Sequence, residues 1–124
     1  MKRVIRLDEG KKALLPMSGK VKAYTTILID KETTGAKNFS LLVSEMAPGS
    51  VHSKEVHDVE HGFFILSGHG IMLIDKEKYE IGPNTAMYVP AKTVHQMRNT
   101  SKETLKYIVL YAPPGPESKL KRES

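Results

Sequence analysis

The stretch Pro48-Gly49-Ser50-Val51-His52-Ser53-Lys54-Glu55-Val56-His57-Asp58-Val59-Glu60-His61-Gly62-Phe63-Phe64-Ile65-Leu66-Ser67-Gly68-His69-Gly70 decides how this chain is read. It opens on a Pro-Gly turn and closes on a Gly-x-Gly turn. Between them, Glu55, His57 and His61 fall close together. Glu55 and His57 are two apart, so on a strand they project to the same face. His61 keeps that parity if the strand is continuous, and Phe63 and Ile65 carry it onward. The expectation is one sheet face with ligand-type side chains at one end and apolar ones at the other. A carboxylate without a partner is costly to bury in such surroundings, and a bound cation would offset that cost.

Pro90-Ala91-Lys92-Thr93-Val94-His95-Gln96-Met97-Arg98-Asn99 supplies a further imidazole, His95. Three imidazoles and one carboxylate form a ligand set for one divalent transition metal. Imidazole suits Zn, Cu, Fe and Ni, and carboxylate shifts the balance toward Mn or Fe. His52 lies in a loop near the expected mouth and is a candidate substrate contact. His69 sits in the Gly68-x-Gly70 turn and is expected in solvent. Arg98 and Glu60 have the wrong parity to join the ligands and should face outward.

Outward from this stretch, short β segments alternate with turns. Val21–Ile29, Phe39–Met46, Gly62–Leu66, Ile71–Ile74, Lys78–Ile81, Thr85–Val89, Val94–Asn99 and Thr104–Ala112 read as strands. Turn signals recur about every eight to twelve residues with no amphipathic helix between them, which indicates an all-β sandwich or barrel. Residues 1–20 read as an N-terminal arm, with a short strand around Val4, Ile5 and Leu7. Residues 21–112 form a single barrel domain. Residues 113–124 follow a Pro-Pro-Gly-Pro run and are expected to be a disordered tail. Met46, Phe63, Met72, Tyr88, Met97 and Tyr107 are candidates, with His52, to line the pocket.

Composition narrows the function. The chain has 124 residues, enough for one domain with a real core. Its net charge is +5, but Lys and Arg are spread along it with no interleaved aromatic stripe, so no nucleic-acid partner is expected. No apolar run approaches the roughly 20 residues that cross a bilayer, so no membrane partner is expected either. The N-terminus lacks the apolar core of a secretory leader. Cysteine is absent, which excludes disulfides and thiolate chemistry and suits a cytoplasmic location. There is no Gly-rich phosphate loop before a helix and no Gly-x-Ser-x-Gly elbow.

Pro48-Gly49, Glu55-x-His57-x-x-x-His61, Gly68, Gly82, Pro90, His95 and Asn99 together resemble the two conserved motifs of the cupin superfamily, across about residues 39–111. The resemblance implies a double-stranded β-helix, or jelly-roll barrel, with the metal inside. Aligned on Gly68, His61 falls where the family usually has Glu, and Glu55 falls where it usually has its first His. His57 is retained, so the ligand types exchange places while the set is kept. Lys92 stands where a glycine is usual, and Asn99 has a position that reads as structural. The motif is similar to that of the C-terminal cupin domain of (S)-ureidoglycine aminohydrolase, a manganese enzyme, although that domain uses Gln as a ligand where this chain has His95. The resemblance implies manganese, a small polar metabolite and redox-neutral hydrolysis or elimination. An oxidative cupin and a non-catalytic small-molecule or sugar-binding cupin are the alternatives. Single cupins often pair, so a homodimer is also implied, with the arm at residues 1–10 available to a partner sheet.

Overall fold

β-Branched and aromatic residues at alternating positions form strands, and glycine, proline and aspartate interrupt them. The structure, a computed structural model, describes residues 2–122. In chain order the strands are β1 (Lys11–Leu14), β2 (Met17–Ser18), β3 (Ala23–Ile29), β4 (Ser40–Met46), β5 (Val51–His52) and β6 (Glu60–Ser67). They continue as β7 (Gly70–Ile74), β8 (Glu77–Ile81), β9 (Ala86–Val89), β10 (His95–Arg98), β11 (Leu105–Ala112) and β12 (Lys121–Arg122). A seven-stranded sheet has the order β12-β1-β3-β4-β11-β6-β9, and a five-stranded sheet has the order β2-β5-β10-β7-β8. All pairings are antiparallel, and the two sheets make a jelly-roll barrel.

Alternation decides what enters the barrel. In β11, Leu105, Tyr107, Val109 and Tyr111 are buried, and in β4 Ser40, Leu42, Ser44 and Met46 are buried. These faces meet Ile65, Met72, Val89 and Met97 in one core. Turn chemistry sets the register. Asp75 has φ 53°, which lets β7 and β8 join through a two-residue turn. Gly68 has φ +87°, and a Cβ there would collide with the Thr104 carbonyl.

The chain ends differ from expectation. Val4–Arg6 carry no strand, and Leu7–Glu9 form a 3-10 turn. The strand lies further on, where β1 pairs with β3 and β12 of its own sheet and is not a free arm. Residues 113–122 are not a disordered tail. Pro116–Lys119 form a 3-10 helix, β12 closes the sheet edge, and Glu117 is only 3% exposed. Its carboxylate accepts hydrogen bonds from Ser40 Oγ (2.6 Å) and the Gly115 amide (3.1 Å), so a residue that reads as a solvated charge pins the segment instead. Glu123 and Ser124 lie outside the described residues. Among the described residues, no helix is long and apolar enough to cross a membrane.

Candidate metal centre

His61 is the first inward residue of β6, and His95 is the first residue of β10. The two strands belong to different sheets, so these rings face each other across the barrel with centroids 4.8 Å apart. Glu55 and His57 lie on the stretch 53–59, which is not a continuous strand as expected from the sequence. Glu55 instead makes a single bridge with His95, with N–H···O contacts of 3.0 Å in each direction. Ser53 N–H donates to Pro16 O (2.9 Å), and Lys92 N–H donates to His57 O (2.7 Å). Lys92 has φ 62°, the left-handed conformation that the glycine usual at this position would take without strain. The backbone of the stretch is therefore fixed by cross-links to its neighbours.

His57, His61 and His95 can each offer a ring nitrogen such that all three lie within 4.8 Å of one another. Neither nitrogen of His61 has a hydrogen-bond partner, although both are buried, and His57 Nε2 also lacks one. Buried polar atoms are otherwise almost always paired, so a cation or a water could complete the pairing here. Burial, reinforced by His95, His57 and His52, pushes the His61 pKa from its ordinary 6.5 down to about 2. Burial also lowers that of His95, against the hydrogen bond to Thr93 O. Both rings therefore stay neutral and keep a lone pair, the state metal binding requires. His95 Nδ1 lies 3.0 Å from Thr93 O, and a carbonyl can only accept. Nδ1 therefore carries the proton and Nε2 is left to coordinate.

Glu55 stands beside this trio. Its Oε1 is 3.1 Å from His52 Nε2, and its Oε2 is 3.2 Å from His57 Nε2, a contact that falls short of hydrogen-bond geometry. Burial acts to raise the Glu55 pKa, but the His57 contact and the nearby His52 and His95 outweigh it and hold it below the usual carboxylate range. His52 Nδ1 is 2.8 Å from Ser53 O, and Gln96 Nε2 donates to His52 O at 2.8 Å, so the ring that faces Glu55 is held from behind.

The cavity at this site has a volume of about 20 Å³. One water needs about 10–15 Å³ by the same measure, so the space suits one ion or one water. His52, Phe63, Met72, Met97 and Tyr107 line it. Met46 and Tyr88 do not. Met46 has the right parity, but β4 pairs Met46 with Leu105 and Ser40 with Tyr111, so Met46 sits at the end of the barrel away from His61. Tyr88 lies opposite Gly62, one residue off the His61 register, and is 59% exposed with its hydroxyl donating to Glu60. Tyr111 was missed. It stands directly opposite His61, ring centroids 4.2 Å apart, and burial raises its pKa. The alternation that selects Tyr107 in β11 reaches Tyr111 two steps later. Asn99 is structural, its Nδ2 donating to Met46 O (2.8 Å) and Glu103 O (2.7 Å).

The profile of the Cupin domain family matches residues 42–111. The chain is a member of the cupin superfamily. Among curated relatives, auxin-binding protein T85 of Nicotiana tabacum is 29% identical over 91 residues, 64% of this cupin and 49% of the relative. The chain spans about half the length of the curated relatives it matches. Among solved structures, a predicted oxalate decarboxylase from Thermotoga maritima superposes with TM-score 0.78 at 18% identity, over 90% of this cupin and 100% of that chain. The polyketide cyclase RemF from Streptomyces resistomycificus gives TM-score 0.78 at 19% identity, over 100% and 87%. At these identities the structures speak for the fold alone.

Proposed function

We propose that this cupin is an enzyme that holds one divalent transition metal on His57, His61 and His95, with Glu55 as oxygen donor, and performs redox-neutral hydrolysis or elimination on a small polar metabolite. The observation that carries this reading is the convergence of three imidazoles, with partnerless ring nitrogens on His57 and His61, beside a cavity of ionic size. Manganese is favoured because a carboxylate joins the imidazoles; Fe, Ni, Zn and Cu suit the same donors less selectively. When bound, such a cation supplies Lewis-acid polarisation of a carbonyl, carboxylate or imine and acidifies a bound water. The remaining work belongs to the chain. Thr93 fixes the His95 tautomer, and His52 and His57 keep Glu55 ionised and aimed inward. Phe63, Met72, Met97 and Tyr111 wall the cavity and keep bulk water out. The Glu55-x-His57-x-x-x-His61 pattern favours hydrolysis or elimination over oxidation. A cytoplasmic homodimer fits the absence of cysteine and the exposed Phe64, Leu66 and Leu110 on the outer face of the large sheet.

Elemental analysis of untagged protein should find about one equivalent of metal per chain, and His57→Ala should lose most of it. Turnover without O₂ uptake would separate the redox-neutral reading from an oxidative one. Wild type that stays metal-free after reloading would end the metalloenzyme reading. Small-molecule binding without catalysis, which the similarity to an auxin-binding protein favours, would then take its place.

A further inference from the structure

The cavity is too small for a metabolite, so substrate must bind beside it. A groove of about 420 Å³ runs between the end of β1 and the C-terminal 3-10 helix. That volume falls in the range of about 300–1,000 Å³ typical of small-molecule sites. Leu15 and Glu55 line both groove and cavity, and His57 lines the groove as well, so the groove opens onto the metal ligands. Its walls combine two chemistries. Leu14, Leu15, Pro16, Pro116 and Leu120 are apolar, whereas Lys119 and Lys121 bring positive charge. Neither lysine is ion-paired among the described residues. Glu55 is the acid in this groove, and its carboxylate is already engaged by His52 and His57. Asp58 lies in the adjoining groove of about 340 Å³, which Lys119 and His57 also border.

The lysines are presented by a fixed segment. Buried Glu117 ties the helix to Ser40, Leu120 packs on the core, and Lys121 pairs with Leu14 across β12 and β1. We infer that this groove is the substrate-binding site of the proposed enzyme and that it takes a small carboxylate carried on a compact apolar body. The anionic end would meet Lys119 and Lys121, and the apolar body would lie along Leu15 and Leu120. The reacting end would then reach the opening at Glu55 and His57. The location of the reacting end rests on the metal-centre reading above; the charge and shape preference of the groove does not.

Hexanoate is a suitable probe, with 1-hexanol as its uncharged counterpart, titrated into ¹⁵N-labelled zinc-loaded and metal-free protein. Hexanoate should shift the amides of Leu14–Leu15 and Glu117–Lys121 saturably, and hexanol should bind about tenfold more weakly, the scale of two exposed charge contacts. The double variant Lys119→Ala, Lys121→Ala should lose that advantage yet keep its hexanol affinity and metal content, and Lys→Arg at both positions should restore it. Equal affinity for hexanoate and hexanol, hexanoate binding unchanged in the double variant, shifts mapping elsewhere, or no saturable shift would each overturn the inference. Lysine-dependent hexanoate binding in a protein that takes up no zinc would sink the metal-centre reading and leave the groove standing.

Discussion

His61 and His95 sit on paired strands of opposite sheets and are almost fully buried, at 3% and 7% exposure. Glu55 and His57 hang from the stretch between β5 and β6, half-buried, held by isolated backbone bonds. One half of the site is thus dry and fixed by two sheet ladders, and the other half is wetter and fixed by a few cross-links. The difference suggests a division of labour. Strands fix two of the three histidines that could hold a metal, and in the proposed function the loop adds His57 and Glu55 on the more exposed side. A buried imidazole nitrogen without a partner is costly, and such nitrogens occur in both halves, on His61 in the strand and on His57 in the loop.

The largest expected effect falls on the dry half. His61→Ala should reduce metal affinity by more than the roughly 10- to 100-fold that loss of a supporting hydrogen bond costs. Glu55→Gln keeps the shape and one donor oxygen, so its loss should be nearer that range. Metal titrations of both variants, with circular dichroism to confirm folding, test the ordering. Equal losses would erase the distinction between the halves.

The next effect concerns acid. His61 stays neutral in the folded chain down to about 2, whereas in the unfolded chain it takes a proton near its ordinary 6.5. Below 6.5 the unfolded state therefore binds more protons, and stability present above that pH is lost as the pH falls. His95 shifts in the same direction. Each can contribute a slope of up to about 1.4 kcal/mol per pH unit. Thermal melts of metal-free protein should show Tm dropping below pH 6.5, less steeply in His61→Gln; parallel curves would mean that this ring is not held neutral.

The smallest effect belongs to a residue that the sequence places in the pocket and the structure places outside. Tyr88→Phe removes a surface hydrogen bond to Glu60 and should change stability by less than about 0.5 kcal/mol. Metal content should not change. A marked loss of metal would put Tyr88 back at the site.

Most of the barrel was legible because alternation and turn chemistry are local. The strands read at Ile71–Ile74 and Thr104–Ala112 match β7 and β11 to within a residue. The sequence named the residue types, but strand parity is not what brings His57 near His61 and His95, because the stretch 53–59 is not a strand. What failed needed register or distance. Whether Tyr88 faces in depends on its lying opposite Gly62 and not His61, and Met46 is excluded by its position along β4. Glu117 reads as a charge in a polar tail until Ser40, 77 positions earlier, donates a hydrogen bond to its carboxylate.

The sequence by itself determined the strands, the turns and the residue types that could hold a metal. These follow from φ/ψ preferences, period-two burial and donor chemistry, all properties of near neighbours along the chain. Only the tertiary structure decided that His61 and His95 meet across two sheets, that Tyr111 joins them, and that the C-terminal segment folds back to wall a lysine-bearing groove beside Glu55. Such contacts are set by strand order and by pairing between distant residues, and no local pattern encodes them.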